Sequence, residues 1–403
     1  MEVSLLTGGD DKPYVFGLAT VLIRDGISFD IIGGDGLESP EWHATPGTRF
    51  LNLRGSQKAD DSFTTRLYRI LMSYARLIRY SWGARPKIFH IIWNNKFEYF
   101  DRTLLMLYYK ALRKRVILTA HNINKAKRDG TDTALNRLTL KIQYRLCDHI
   151  FVHTVQMKSE LIRVFGVSSS AITVIPFGIN NAVPNSELTS VEAGQRLGIS
   201  KEERTILFFG RIVPYKGLEY LVAAFQDYLP PSGCYRLIIA GRPEKDCKQY
   251  FDAIREKAKR GNNGEKIILK IEYVPDDETE MYFKAANVLV LPYRDIYQSG
   301  VLFLGYSFGL PVIASDVGGL RDEIIEGKTG FLCRPEDPAD LARVIEKYFS
   351  SDLYLSLNSR RQELQEYARQ RYSWDVVSQM TVDVYAKLMR GQLIEEKSQM
   401  ATR

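Results

Sequence analysis

The feature that most constrains the fold of this chain is an alternation: short runs of β-branched and aromatic residues follow one another with helical segments between them. In the first half the runs fall at 88–93, 116–120, 149–154 and 172–176. That spacing means βαβ units, because parallel strands need a crossover long enough to hold a helix. The apolar period fades over 180–200, where Pro, Ser and Asn collect, and restarts at 205–209, with further runs at 236–240, 267–271, 288–291 and 311–314. A chain of 403 residues is too long for one ordinary core. The reading is an α/β protein of two doubly wound parallel sheets: a first domain over 1–180, a linker over 181–203, a second domain over 204–372, and a terminal helix and tail over 373–403 carrying Val376, Met380, Val384 and Leu388 at helical spacing. Ligands in such sheets sit beyond the carboxyl ends of the strands, so the two sheets are expected to face a cleft and the chemistry to lie in post-strand loops.

Composition narrows the classes. Residues 1–9 hold no basic stretch followed by an apolar core of signal-peptide length, and no later run approaches the roughly 20 apolar residues of a membrane span. Cys147, Cys234, Cys247 and Cys333 stand apart, without close pairs or His partners at zinc-ligand spacing, which argues against disulfides and a structural metal. These features predict a cytoplasmic protein without a bound metal. A net charge of +7 fits an anionic partner, whether a nucleotide phosphate, an acidic membrane surface or a nucleic acid, and charge alone does not choose among them.

The clearest ligand loop is 208–217, where a strand ends in Gly210 and is followed by Arg211, Lys216 and a helix start. Gly210 allows close backbone approach, Arg211 offers a planar fork for phosphate oxygens, and Lys216 adds a point charge. The alternative is a solvated basic loop. A second candidate is Gln298-Ser299-Gly300-Val301, opening the helical run 301–308, whose N–H groups suit a diphosphate. Taken by itself, Ser299 there is read first as a simple N-cap. Gly8-Gly9 forms a third, weaker turn near the N-terminus. His121 stands at the end of the strand 116–120, placed to expose its imidazole for a sugar hydroxyl or developing charge, or simply to fill a structural role. His149 and His153 read as structural. Nucleophile elbows, zinc-protease helices and Walker loops are absent.

Taken together, the strings 209–217, 238–241, 288–292 and 309–319, with Gly8-Gly9, Thr119-Ala120-His121-Asn122 and 174–179, resemble the family-4 retaining glycosyltransferases along nearly the whole chain. The resemblance implies a GT-B fold and transfer with retention from a nucleotide-diphosphosugar co-substrate, with no metal or other cofactor. It implies that Arg211 and Lys216 meet the diphosphate, that Gly9, Gly210, Gln298, Ser299, Gly300 and Val301 line the donor site, and that His121 contacts the transferred sugar. The departing phosphate would accept the acceptor's proton on the face from which it leaves. One departure is plain: the family's two glutamates around this loop are missing, with Leu304 or Gly305 where the second belongs and Gln298 near the place of the first.

The acceptor side is read from residues 62–82, where Phe63, Leu67, Ile70, Leu71, Tyr74, Leu77 and Ile78 form a helical stripe and Arg66, Arg69, Arg76 and Arg79 lie off its centre. Such a basic amphipathic helix either rests peripherally on anionic lipid, with a lipid-linked or saccharide acceptor in cell-surface polysaccharide or glycolipid assembly, or packs on the sheet. Nucleic acid is not an expected partner. The missing acidic pair keeps two rivals open: a non-catalytic sugar-nucleotide-binding scaffold, and a sugar-nucleotide epimerase on the same plan.

Overall fold

The computed structural model describes residues 1–8, 12–55, 62–180 and 183–401, with side chains to 391. The chain forms two compact units, one of Met1–Gly178 with Trp374–Arg403 and one of Ile179–Ser373.

Among the described residues the first unit carries seven strands: β1 (Glu2–Leu6), β2 (Ser28–Gly33), β3 (Thr48–Asn52), β4 (Ile88–Ile91), β5 (Arg115–Ala120), β6 (His149–Val152) and β7 (Ile172–Val174). They form one sheet in the order β3-β2-β1-β4-β5-β6-β7, and the paired registers are all parallel. Helices cover both faces, so β4 and β6 are buried along their whole length and read as continuous apolar runs. The strand order reverses between β1 and β4. The loops leaving those strands meet there: a Cβ on Gly8, whose φ is +38°, would collide with the Trp93 carbonyl oxygen.

The last helix, Trp374–Ala401, belongs to this unit. Trp374, Val377, Val384 and Tyr385 enter the same apolar core as Val15, Leu18 and Leu22 of the helix Lys12–Arg24. Trp374 lies so close to Gly17 and Gly178 that a Cβ on either would overlap its indole. Deeper in, the Tyr385 hydroxyl is 2.6 Å from His90 Nδ1, whose other ring nitrogen is 2.7 Å from the Thr119 hydroxyl. Burial pushes His90 down to about 3, so the ring is neutral.

The second unit repeats the plan with β8 (Arg204–Phe209), β9 (Tyr235–Ala240), β10 (Ile267–Lys270), β11 (Val288–Leu291), β12 (Val312–Ser315) and β13 (Gly330–Cys333), in the order β10-β9-β8-β11-β12-β13. Here the order reverses between β8 and β11. The stretch 181–203 holds the helix Ser190–Arg196, entered by a capping box in which the Thr189 hydroxyl accepts from Glu192 N–H and the Glu192 carboxylate accepts from Thr189 N–H. No helix among the described residues is long and apolar enough to cross a membrane.

Candidate functional site

In the second unit, the strand order reverses between β8 and β11, and the ends of the strands at such a reversal are where doubly wound sheets bind ligands. Gly210 ends β8 with φ +104°, a conformation that L side chains rarely adopt. A Cβ there would stand 2.9 Å from Lys216 Nζ and 3.5 Å from Val301 Cγ2. The absent side chain thus makes room where the lysine and the first turn of the helix Gly300–Ser307 come together.

Neighbouring contacts fix this arrangement. Gly217, at φ +63°, presses against the Pro292 carbonyl so tightly that a Cβ would collide with it. The Arg294 N–H donates to the Tyr215 carbonyl at 2.8 Å, tying the loop after β11 to the loop after β8. Lys216 is buried, with its ammonium 5.5 Å from the centre of the Tyr293 ring. Burial first, and Arg211 second, push its pKa down to about 7, with Glu244 opposing. No carboxylate pairs with Lys216 among the described residues. Arg211 is mostly exposed and donates to the Glu244 carboxylate at 2.6 Å.

Ser299 occupies the N-cap position of the helix Gly300–Ser307, yet its side chain caps nothing. Its hydroxyl instead stands 3.4 Å from that of buried Tyr293. Gln298 is the more unusual neighbour, because its amide nitrogen and amide oxygen are both screened from solvent without a hydrogen-bond partner among the described residues. Buried polar atoms are nearly always paired, so a ligand is the natural complement.

The structure therefore gathers Gly210, Lys216 and Val301, with Gln298, Ser299 and Gly300 leading into the same helix, and sets Arg211 beside them in an ion pair. Gly9 lies outside the described residues. His121 is in the first unit, and the expectation of an exposed imidazole is corrected. Its ring is half-buried, stacked on Trp93 at 4.5 Å between centroids and 10° between planes, with Tyr14 edge-on at 4.7 Å. The apolar rings screen it, and burial lowers its pKa well below the ordinary value, followed by the influence of His153 and His90. Together with Trp93, Arg102, Asn122, Asn136 and Gln143 it lines a cavity of about 330 Å³.

Sequence reasoning passed over Trp93 and Glu244. The first was hidden in an apolar run, and the second pairs with Arg211 from 33 positions away.

Known proteins with this plan share the two-domain GT-B architecture. The sucrose-phosphate synthase of Thermosynechococcus elongatus superposes with a TM-score of 0.78 at 18% identity, over 97% of this chain and 100% of that one. Anabaena HepE, solved with UDP and glucose, gives 0.74 at 16% identity over 96% and 100%. The fold is GT-B.

By sequence, the model of glycosyl transferases group 1 matches residues 192–371 and that of glycosyltransferase family 4 matches 13–183. The chain belongs to the group 1 glycosyltransferase family. An uncharacterized glycosyltransferase of Methanocaldococcus jannaschii is 26% identical over 62% of this chain and 63% of its own length. A D-inositol 3-phosphate glycosyltransferase of Streptomyces bingchenggensis is 29% identical over 60% and 54%. The chain thus spans about half to three fifths of the length of these curated relatives.

Proposed function

We propose that this protein is a glycosyltransferase that moves a sugar from a nucleotide-diphosphosugar to a hydroxyl acceptor, with retention and without a metal. The observation that carries the reading is Lys216, a buried ammonium without a carboxylate partner among the described residues, next to a helix start with no side-chain cap. A buried cation is costly unless an anion meets it, and a diphosphate satisfies lysine and helix N-terminus together. In this reading Arg211 exchanges Glu244 for a phosphate oxygen, and both cations stabilise charge on the departing diphosphate. Gln298 and Ser299 take neutral hydrogen bonds from the donor, and Gly210, Gly300 and Val301 supply close backbone approach. In the first unit, His121 meets the transferred sugar. HepE has been solved with UDP and with UDP-glucose, which supports a sugar nucleotide as donor class.

A thermal-shift panel of UDP-, GDP-, ADP- and TDP-sugars tests the donor, because a ligand of the folded state raises the melting temperature by mass action. A hit lost in Lys216→Ala supports the reading, whereas binding unchanged by that substitution overturns the site. Binding without transfer across a broad acceptor screen would instead favour a scaffold, and an isomerised sugar nucleotide an epimerase.

The acceptor side of the proposal is a peripheral site on anionic lipid, with a lipid-linked or saccharide acceptor in polysaccharide or glycolipid assembly. It rests on the helix Phe63–Gly83, which has four arginines and no acidic residue. The helix buries Tyr74, Leu77 and Ser81 but leaves Phe63 78% and Trp82 76% exposed, with Tyr68 and Leu71 also open. Exposed aromatics and cations on one helix suit an anionic bilayer surface. Sedimentation with anionic vesicles at low salt is expected to carry the protein down and to fail for the double variant Phe63→Ser with Trp82→Ser. Equal sedimentation of both, or none of either, rejects the lipid surface.

A further inference from the structure

We propose that His153 is a positioning residue that fixes the tautomer of His121, making His121 Nε2 a hydrogen-bond acceptor for a hydroxyl of the bound sugar. The inference rests on the reading of His121 given above and deepens it.

The geometry begins at the backbone. The residue after β6, His153, has its Nδ1 3.3 Å from the Ile175 carbonyl oxygen. A carbonyl only accepts, so the proton of the neutral ring sits on Nδ1 and Nε2 keeps its lone pair. That Nε2 is 3.1 Å from His121 Nδ1. A lone pair needs a donor opposite, so His121 carries its proton on Nδ1 and its Nε2 is bare. Burial pushes His153 down to about 4, which keeps that ring neutral at ordinary pH.

The end of this chain points to a ligand. His121 Nε2 is screened from solvent and has no hydrogen-bond partner among the described residues. Trp93 Nε1, on the indole stacked against the same imidazole, is likewise buried and unpartnered. Both residues line the cavity of about 330 Å³. An indole N–H gives and an imidazole nitrogen without its proton takes, and a hydroxyl does both. The stacking on Trp93 and the edge of Tyr14 hold the imidazole plane, while His153 sets which nitrogen bears the proton. With the opposite tautomer, His121 would present a second donor beside Trp93 and the hydroxyl's own proton would lack an acceptor.

The test uses the full chain labelled with ¹⁵N-histidine, whose five histidines keep the long-range ¹H–¹⁵N spectrum tractable. In the native protein His121 should show an N–H on Nδ1 and an unprotonated Nε2. In His153→Leu that preference should be lost, and in His153→Gln, whose side-chain carbonyl also accepts, it should be kept. An Nε2–H tautomer in the native protein, or an unchanged tautomer in a folded His153→Leu, overturns the proposal; the native spectrum decides it even if the leucine variant does not fold. Turnover with a donor identified by the thermal-shift panel should fall about 10- to 100-fold in His153→Leu, mostly in kcat, and recover in His153→Gln. If the spectra hold but His121→Ala transfers sugar normally, the assigned sugar contact fails while the relay stands.

Discussion

Lys216 Nζ lies 2.9 Å from the point where a Cβ on Gly210 would stand. The space beside the ammonium therefore exists because residue 210 has no side chain. Gly210→Ala should act twice: a left-handed backbone costs an L residue about 1–2 kcal/mol, and the methyl group displaces the lysine. We expect a modest loss of stability by urea unfolding and a much larger loss of nucleotide-sugar affinity by calorimetry. Unchanged affinity in a folded Gly210→Ala would remove Lys216 from the donor site.

The depressed pKa of Lys216 gives binding a pH signature. Its folded value of about 7 lies below the ordinary 10.5. The corresponding stability is therefore present above the unfolded pKa and is lost as pH falls toward 7, where the buried amine must charge. Binding runs the other way, because a diphosphate favours the ammonium. Affinity for a nucleotide sugar, whose diphosphate does not titrate in this range, should weaken as pH rises from 7 toward 9. Calorimetry at pH 8 in two buffers of different ionisation enthalpy should reveal proton uptake on binding. An uptake of zero is the result that counts against an amine–diphosphate contact.

Gln298 allows stability and function to be separated. Its amide is buried with both polar atoms unpaired among the described residues, so replacing it with methionine of similar shape removes an unsatisfied group. Gln298→Met should leave the free protein equally or more stable and bind nucleotide sugar more weakly. Such opposite signs are typical of residues kept for a ligand. A variant that loses stability without losing affinity would show that the amide serves the fold.

Much of this was legible in the amino-acid order. The apolar runs at 205–209 and 288–291 are the cores of β8 and β11, because a strand covered on both faces has no polar side to write into its sequence. The loops after them carried glycine, cations and a helix start within a few positions, so the gathering of Gly210, Lys216 and Val301 followed from short-range signals. Long-range partners did not. The stacking of Trp93 on His121 and the pairing of Glu244 with Arg211 depend on strand order, which local periodicity does not encode. The helix Ser190–Arg196 did leave a signal, the Thr189-to-Glu192 capping box, inside a stretch whose polar composition masked it.

The return of the chain to the first unit belongs to the same long-range class, and it carries the last expectation. Helical spacing in 374–391 announces an amphipathic helix but not the surface that receives it. That surface is cut by Gly17 and Gly178, each close enough to Trp374 that a Cβ would strike the indole. The Ser378 hydroxyl donates to Asp25 at 2.6 Å, and Tyr385 holds His90, so the tryptophan is the first of three anchors along the helix. Trp374→Ala should cost about 3–5 kcal/mol by opening a cavity, and Gly17→Val about 1–3 kcal/mol by overpacking the same spot. Hydrogen–deuterium exchange should register both as lost protection in 12–24 and 374–391, with β8 to β13 unaffected. Combining the two substitutions should cost less than their sum, since valine at 17 fills part of the space that the indole vacates. Strict additivity would mean that the two side chains do not share one site in solution, and the helix would then need another explanation for its place in this unit.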